Sequence, residues 1–235
     1  MRSGVLLVIP ARLASTRLPG KPLADLCGVP MIVRVWERAR QARLPERVLV
    51  ATDDARIAAA VRAAGGEVVM TRGDHLSGSD RVHEALAGVD YEVVVNVQGD
   101  EPFVDPALID RLAEAALAPG VDVATAAAGE VPVGAPPSVV RVLVSPDGCA
   151  LAFARRHLAG GRCLHHVGLY AYRRATLEAF VALTPSEGEV RERLEQLRLL
   201  ERGFTFAVVE TDAVPLAVDT PADLEAARAR FLGQL

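Results

Sequence analysis

The sequence predicts an α/β fold with a mostly parallel, doubly wound sheet and a smaller antiparallel subregion. In the first half, short β-branched runs alternate with helix-period segments, which is the pattern of βαβ units. The run 93–97 is apolar at nearly every position, as expected of a central strand covered on both faces. The composition, 51% hydrophobic and 4% aromatic, suits helices packed on a sheet. At 235 residues, one domain over 1–235 is the simplest fit.

The elements of the first half follow from local signals. The predicted order is strand 5–9, helix 31–42, strand 48–52, helix 55–64, strand 68–70, helix 80–87 and strand 91–98. Pro30 suits the first turn of the first helix, and Asp53 or Asp54 suits the N-cap of the second. Ser79 is the expected N-cap of the third helix.

From about residue 121 the alternation weakens and antiparallel strands are expected. The run 145–148, Ser-Pro-Asp-Gly, predicts a tight turn between two of them. A single helix is expected over 187–200, with Val190, Leu194 and Leu197 as its apolar stripe. The remaining predicted elements are strands 121–127, 139–144, 150–153, 163–172 and 204–209, a helix over 175–183, and a C-terminal helix opening at Thr220-Pro221.

Charge and composition exclude several classes of partner. The net charge is −4, and no basic stripe with interleaved aromatics is present, which argues against nucleic acid. No apolar run approaches the ~20 residues of a membrane span, so a cytoplasmic location is expected. The three cysteines lack paired or metal-ligand spacing. The expected partner is a small molecule.

The first strand leads into a loop that suits an anion. Residues 9–21 contain Arg12, Arg17 and Lys21, and Lys21 is the only lysine among 26 basic residues. Lysine offers a compact point charge, whereas arginine offers a planar fork for bidentate pairing. With the backbone amides of residues 14–16, the loop has enough donors for a diphosphate. The alternative is that these cations form ordinary surface ion pairs. The glycine fingerprints of dinucleotide-binding and P-loop enzymes are absent.

Two aspartates are candidates for metal binding. Asp100 and Asp219 each follow a predicted strand, and ligands of open α/β sheets bind at the carboxyl ends of strands. Two carboxylates with phosphate oxygens suit Mg²⁺, which takes few protein ligands and keeps several waters. The alternative for each is a turn or helix N-cap aspartate, especially for Asp219 before Thr220-Pro221.

Several long strings, in order, resemble the 3-deoxy-manno-octulosonate (Kdo) cytidylyltransferases, or CMP-Kdo synthetases. They include IPARLASTRLPGKPL, AGGEVVMTRGDHLSGSDRVHEA, VVNVQGDEP, HHVGLYAYR, LEQLR and VDTPADLE. The resemblance implies a GT-A-like nucleotidyltransferase fold, a homodimer, and the reaction of CTP with Kdo to give CMP-Kdo and diphosphate with Mg²⁺. It also implies that residues 1–120 mainly bind nucleotide and that 121–235 mainly bind the sugar acid and the second subunit.

The resemblance also implies roles for single residues. The residues implied to bind the triphosphate are Arg12, Ser15, Arg17 and Lys21, and those implied to bind cytosine are Arg72, Ser77 and Gln98. The implied metal ligands are Asp100 and Asp219. The residues implied to bind the sugar acid are Arg155, His166, Tyr170, Glu195 and Gln196. Lys21, Arg12 and Asp100 are expected to be catalytic. The anomeric hydroxyl would attack the α-phosphorus in line, so orientation and charge stabilisation would dominate.

Some alternatives stay open. His166 is a candidate general base, a hydrogen-bond partner of the sugar, or a structural group. The chain is shorter than the usual family pattern between Arg155 and His166, and carries Ser138 and Arg141 where Asn and Lys are typical. Other acceptors are therefore retained as alternatives, namely an acylneuraminate-like sugar acid or a sugar-1-phosphate. A nucleotide-binding protein without catalysis is a further alternative.

Overall fold

The computed structural model describes residues 4–15, 17–75, 77–212 and 214–233. Its strands, in chain order, are β1 (Val5–Ala11), β2 (Arg47–Thr52), β3 (Glu67–Met70), β4 (Val93–Asn96), β5 (Val123–Glu130), β6 (Arg141–Val144), β7 (Ala150–Ala154), β8 (Arg162–Arg173) and β9 (Phe206–Thr211). Its helices are α1 (Met31–Ala39), α2 (Ala55–Ala63), α3 (Gly78–Ala85), α4 (Pro106–Leu117), α5 (Arg174–Ala182), α6 (Glu187–Glu192), α7 (Leu197–Leu200) and α8 (Pro221–Leu232). A 3-10 helix spans Lys21–Leu23.

The chain divides into two compact units. The first comprises Met1–Asp110 and Pro215–Leu235, and the second comprises Arg111–Val214. The C-terminal helix α8 therefore belongs to the first unit, although the sequence analysis placed it with the sugar-acid half. The prediction of one nucleotidyltransferase domain stays a prediction.

In the first unit a parallel sheet places the site. β1 pairs with β2 on one side and β4 on the other, and β2 pairs with β3, all in parallel. Every residue of β1 and β4 is buried, because helices follow the strands and cover both faces of such a sheet. The carboxyl ends of β1 and β4 lie side by side, with Val8 in register with Asn96. The loops that follow these two strands therefore begin at one edge.

The second unit contains the predicted antiparallel region. β5 pairs antiparallel with β8 and parallel with β9, and β6 pairs antiparallel with both β7 and β8. The predicted turn at 145–148 joins β6 to β7, with Gly148 at φ 84°. A positive φ there suits glycine, which lacks the Cβ that makes this conformation costly. The predicted α/β class, with a parallel sheet and a smaller antiparallel part, is confirmed.

Two helix predictions are wrong. The N-cap of α3 is Ser77, not Ser79, because the Ser77 hydroxyl accepts from the Asp80 amide while Asp80 bonds back to Ser77. The expected helix over 187–200 is broken into α6 and α7, since Arg193 takes a left-handed conformation at φ 55° and ends α6. Val190 consequently lies outside the core, with 68% of its surface exposed.

Most of the remaining predicted elements shift only at their ends. Asp54, one of the two residues predicted for the N-cap of α2, is that cap, and Thr220 caps α8, which opens where the sequence predicted. The segment 217–219 is not a strand, although Asp219 was expected to follow one. The cysteines at 27, 149 and 163 are free thiols. Across the described part of the chain, no helix combines the length and apolar character needed to cross a bilayer.

Candidate functional site

A cavity of about 600 Å³ lies in the first unit at the end of β1 and β4. Its walls come from the loops after these strands, from the start of α3, and from the approach to α8. Eight of the residues predicted from the sequence line it together, namely Arg12, Ser15, Arg17, Lys21, Ser77, Gln98, Asp100 and Asp219. Arg72 does not border this cavity, and the five sugar-acid residues belong to the second unit.

The ammonium of Lys21 lies between two carboxylates. Nζ donates to Asp100 Oδ2 at 2.5 Å and to Asp219 Oδ1 at 3.0 Å. Burial alone would lower the pKa of Lys21, but the two aspartates outweigh burial and raise it. Lys21 is therefore a permanent cation, and the cavity holds a fixed positive charge. The alternative of an ordinary surface lysine is wrong, because only 15% of the side chain is exposed.

Asp219 reaches this cluster because it is not the helix cap. Thr220 caps α8 through a capping box with Asp223, and Pro221 fills the first turn. The Val218 amide donates to the Asp100 carbonyl at 2.9 Å, which ties the two aspartate segments together. The Asp219 carboxylate also accepts from Arg17 Nη2 at 2.9 Å. The expected arginine ion pair is thus present, but within the site itself.

Glu101 adds a third carboxyl group behind the pair. It is 8% exposed, and its Oε2 has no hydrogen-bond partner among the described residues. Burial, followed by the charges of Asp100 and Asp219, raises the pKa of Glu101 to about 8, although Lys21 opposes the shift. Glu101 is therefore neutral at pH 7, and the charge of the cluster is shared by Lys21 and the two aspartates.

The backbone at the end of β4 passes close to β1. A Cβ added at Gly99 would lie 3.0 Å from the Pro10 carbonyl oxygen and 3.4 Å from Ile32. Only glycine fits this approach without a shift of the chain. Gln98, just before it, donates from Nε2 to Asn96 Oδ1 at 3.2 Å and faces Gly78 across the cavity. Because glycine at position 99 allows this close approach, Gln98 and Asp100 lie against the end of β1.

The loop after β1 presents the remaining cations. Arg12 is exposed and lines the cavity, and Gly20 at φ 69° precedes the 3-10 helix that carries Lys21. Ser15 Oγ accepts from the Leu18 amide at 3.4 Å. The predicted role of the backbone amides falls partly on Thr16, which lies outside the described residues. Arg12, Arg17 and Lys21 together supply donors suited to phosphate oxygens.

The described residues of the loop between β3 and α3, 71–75 and 77, are held by α3. Glu84 Oε1 accepts from the Arg72 amide at 3.0 Å, and Oε2 accepts from Arg72 Nε at 3.2 Å and contacts His75 Nε2. The Ser77 hydroxyl is engaged at both its donor and acceptor in the capping box with Asp80. Ser77 therefore lines the cavity as a cap residue whose hydroxyl already has partners.

In the second unit, His166 is buried among aromatic rings. Its ring lies 5.0 Å from that of Phe153, edge-on, and 5.6 Å from that of Tyr170. Thr125 Oγ1 donates to the Leu169 carbonyl at 2.9 Å, so its 3.0 Å contact with His166 makes Nε2 the donor. Burial, and then the charge of His165, lowers the pKa of His166 to about 3. The ring is therefore neutral, with its proton on Nε2.

Tyr170 belongs to the same aromatic cluster. Tyr170 stacks on Tyr172, and burial, Tyr172 and Glu195 raise the pKa of Tyr170 well above its usual range. Gln196 is 3% exposed, and its Nε2 has no hydrogen-bond partner in the described part of the chain. The Tyr170 hydroxyl and the Gln196 amide are therefore uncharged hydrogen-bond donors in a buried environment.

Arg155 is positioned by backbone carbonyls. Its Nε donates to the Glu192 carbonyl at 2.9 Å and its Nη1 to the Pro137 carbonyl at 3.3 Å. Arg141, which is 2% exposed, donates to the Arg155 carbonyl at 2.8 Å. Neither guanidinium is ion-paired with a carboxylate of the described residues. Arg141 is buried and engaged by carbonyls, so the charge of Arg155 is the more accessible of the two.

The donor set of the first unit fits magnesium. Asp100 and Asp219 place one carboxylate oxygen each on a single cation, the Lys21 ammonium, so both converge on one point. Among the described residues there is no group of three or more metal-ligating side chains. Mg²⁺ needs only one or two carboxylates when phosphate oxygens and water complete its shell. The described residues therefore do not resemble a site in which the protein supplies every ligand of a metal.

Comparisons with known proteins identify the family of this chain. A family model described as cytidylyltransferase matches residues 6–210. A relative from Bradyrhizobium sp. (strain ORS 278), named 3-deoxy-manno-octulosonate cytidylyltransferase, is 55% identical over 97% of each chain. A relative of the same name from Parvibaculum lavamentivorans is 54% identical over 95% of this chain and 91% of its own. A solved structure of CMP:2-keto-3-deoxy-manno-octonic acid synthetase complexed with CTP matches with a TM-score of 0.95 at 42% identity, covering 99% of this chain and 100% of that chain.

The fold defines a nucleotidyltransferase, since the match to the synthetase structure covers 99% of this chain, and the family model narrows that class to the cytidylyltransferases. Relatives above 50% identity extend over almost the whole chain. The chain therefore belongs to the 3-deoxy-manno-octulosonate cytidylyltransferase family. The predicted family, the nucleotidyltransferase fold and the enzyme class are confirmed.

Sequence reasoning missed three residues of the first unit. Arg81 lines the cavity and is 3% exposed, Glu101 lies beside the aspartates, and Glu84 anchors the β3–α3 loop. A signal for two of them was available, because Arg81 and Glu84 stand three positions apart on a predicted helix and so share a face. Glu101 gave no such signal, since its burial depends on the folded sheet.

Proposed function

We propose that this chain transfers the cytidylyl group of CTP to Kdo, giving CMP-Kdo and diphosphate, with Mg²⁺ as cofactor. The observation that carries the proposal is the Lys21 ammonium held between Asp100 and Asp219 in a cavity that Arg12 and Arg17 also line. A cluster with both signs of charge suits a metal-bound polyphosphate better than a simple anion or a simple cation.

The triphosphate is bound by the loop after β1. Arg12 and Arg17 offer forked donors to pairs of phosphate oxygens, while Lys21 supplies a point charge on a flexible stem. Charge on the diphosphate grows as it leaves, so these cations stabilise the transition state more than the ground state. Lys21 is therefore catalytic as well as binding, and Arg12 shares that role.

The sugar acid is recognised by residues of the second unit. Arg155 pairs with the carboxylate of the acid, since its guanidinium is positioned without a carboxylate partner of its own. Neutral His166 accepts at Nδ1 from a sugar hydroxyl, and Tyr170 and Gln196 bind others, with Glu195 beside them. The pKa of His166, about 3, argues against a general-base role at neutral pH.

The reaction is an in-line displacement at the α-phosphorus. The anomeric oxygen of Kdo forms the new P–O bond, its proton passes to solvent, and the bond to the β-phosphate oxygen breaks. Bound Mg²⁺, held by Asp100 and Asp219, supplies Lewis-acid stabilisation of the phosphate oxygens. No residue of the chain becomes covalently attached, so Lys21, the arginines and Asp100 act by position and charge.

We also propose that the chain works as a homodimer in the cytoplasm. The large apolar side chains of Val133, Leu151 and Val190 are 81%, 57% and 68% exposed in the second unit. Exposed apolar groups of this size suit a covered surface. Light scattering checks the association and should give twice the chain mass of 24.9 kDa.

Diphosphate release tests the function. The purified chain is supplied with CTP, Mg²⁺ and Kdo, and parallel reactions replace Kdo with N-acetylneuraminate or sugar-1-phosphates. Turnover with Kdo and formation of CMP-Kdo are expected. Turnover only with another acceptor would overturn the acceptor assignment. Tight CTP binding without any turnover would support a nucleotide-binding protein instead.

A further inference from the structure

A buried arginine of α3, Arg81, lines the cavity of the first unit. It is 3% exposed, and its Nη1 donates to Thr71 Oγ1 at 2.5 Å and lies 3.1 Å from Asp53 Oδ1. Thr71 is itself fixed, because its amide donates to the Thr52 carbonyl at 2.9 Å. The guanidinium is therefore held at one nitrogen by the residues that follow β2 and β3.

The other two nitrogens of this guanidinium have no protein partner. Across the described residues, Nε and Nη2 of Arg81 form no hydrogen bond, and each keeps some accessible surface. Buried polar groups are almost always hydrogen-bonded, so two unused donors on a buried arginine call for an explanation. The N–H bonds of Nε and Nη2 run parallel along one edge of the planar group. Because Arg81 lines the cavity, this edge is suited to a molecule bound there.

Arg81 contributes directed donors to the cavity rather than net charge. Its positive charge is balanced by Asp53, whose Oδ1 lies 3.1 Å away. A phosphate at Arg81 would share one cation with that carboxylate, and two anions beside one cation repel each other. An uncharged acceptor avoids this repulsion. The free edge of Arg81 therefore suits the nucleoside of a nucleotide better than its phosphates.

The part of the cavity beside α3 suits a flat, uncharged group. A Cβ added at Gly78, one turn before Arg81, would lie 3.4 Å from Pro10 Cγ and 3.6 Å from Gln98 Oε1. Small and apolar surfaces with few polar groups are typical of sites that bind a ring. The carboxylates that hold Lys21 come instead from the loop after β4 and the approach to α8. The lining therefore separates a place for a triphosphate from a place for a base.

We propose that Arg81 binds the base of CTP through Nε and Nη2 and is a specificity-determining residue of the site. The inference rests on the proposed function, in which the cavity takes CTP. Cytosine presents two adjacent acceptors in its plane, the O2 carbonyl and N3, which match two parallel donors. Uracil carries an N–H at N3, so only one of the two hydrogen bonds forms.

Calorimetric titration separates the base from the triphosphate. CTP, UTP and inorganic triphosphate, each with Mg²⁺, are titrated into the wild type and into Arg81→Lys. Lysine keeps the positive charge beside Asp53 but removes the planar edge. The affinity is expected to fall about 100-fold for CTP, about tenfold for UTP and less than about twofold for inorganic triphosphate, because a hydrogen bond from a charged group contributes about a factor of ten.

Arg198→Lys is the matched control. Arg198 is also a buried arginine, 7% exposed, and its Nη2 pairs with Glu189 Oε1 at 2.6 Å in the second unit. This substitution should leave all three affinities unchanged. Equal losses for CTP and inorganic triphosphate in Arg81→Lys would place Arg81 at the phosphates, and unchanged CTP affinity would leave it a structural role alone. Either result would overturn the inference.

A modified nucleotide tests the same contact without a substitution in the protein. In 3-deazacytidine triphosphate a C–H replaces N3, so one of the two acceptors is missing. The wild type should bind it about tenfold more weakly than CTP, and equal binding would overturn the inference even if Arg81→Lys does not fold. A folded Arg81→Lys should bind the two nucleotides about equally, since the substitution and the modification remove the same interaction.

These binding measurements need no acceptor, so the two proposals can fail separately. Wild-type chain that binds CTP but turns over no Kdo would refute the proposed function and leave the affinities measurable. Wild-type chain that turns over Kdo, with unchanged CTP affinity in Arg81→Lys, would refute only the present inference.

Discussion

The two units solve the problem of polar recognition in opposite ways. In the first unit the central cation, Lys21, is partly exposed and lies between two carboxylates, those of Asp100 and Asp219. In the second unit His166 and Tyr170 are buried among rings, and burial keeps both neutral. Charges that remain hydrated suit a polyphosphate, whereas neutral buried donors and acceptors suit hydroxyl groups. The contrast indicates that highly charged parts of a substrate require a hydrated binding site, whereas uncharged hydroxyl groups can be bound in a buried one.

The strongest way to break the charged cluster is Asp100→Asn. Asparagine keeps the shape but removes one of the two charges expected to hold the metal and the closest partner of Lys21. We expect kcat to fall by about 10³-fold or more, because stabilisation of the phosphate charge is the main catalytic device. Diphosphate release at saturating CTP and Kdo checks this. Asp212→Asn, at an exposed position, is the control, and near-normal turnover of Asp100→Asn would refute the assigned role.

The second-largest loss of activity is expected from removal of the Lys21 ammonium. Lys21→Ala is expected to lose about 2 to 4 kcal/mol of transition-state stabilisation, measured as kcat/KM for CTP. Lys21→Arg sharpens the test, since a planar fork cannot replace a compact charge between two carboxylates. If the arginine variant keeps full activity, the point-charge argument fails.

The pH dependence of the free energy of unfolding tests whether His166 is buried in its neutral form. The folded-state pKa of His166 is about 3, below the unfolded value of 6.5, so its contribution to stability is complete above pH 6.5 and is lost as pH falls toward 3. The expected slope is about 1.4 kcal/mol per pH unit, hence about 2 kcal/mol between pH 6.5 and 5. His166→Gln should remove that slope in denaturant unfolding. His157→Gln, at an exposed position, should not, and an unchanged slope in His166→Gln would contradict the buried neutral ring.

The smallest effects compare helix caps in the two units. Thr220→Ala and Ser186→Ala each remove one capping box and should each lower the free energy of unfolding by about 1 kcal/mol. Only Thr220→Ala should also raise KM for CTP, because Asp219 is the residue before that cap. Equal KM values in the two variants would show that the start of α8 does not position Asp219.

Local chemistry explains most of what the sequence predicted. Asp54 and Thr220 cap helices whose first turns carry their own signals, so both ends could be predicted without the fold. Ser77 could have been found in the same way, since Ser77 and Asp80 have capping-box spacing. Arg193 could not, because a left-handed arginine is uncommon and gives no sequence signal.

The site was predictable in its residue types and less so in its contacts. Lys21 and Asp219 are 198 positions apart, and their contact depends on the return of the chain to the first unit. The family motifs supplied that pairing, which the pattern of strands and helices alone did not. The spacing of Arg81 and Glu84 on a predicted helix indicated a shared face, but only side-chain geometry shows that both contact the β3–α3 loop.

The placement of Lys21 has one further consequence. Its ammonium already occupies the gap between Asp100 and Asp219, so a divalent ion held by the same two carboxylate oxygens would displace it. A triphosphate would ease this exchange, since it would offer the displaced ammonium a new anionic partner. Nucleotide and divalent ion would then favour each other's binding by the same factor, as thermodynamic reciprocity requires. Until then, the protein carries its own counter-ion and avoids leaving two like charges bare beside each other.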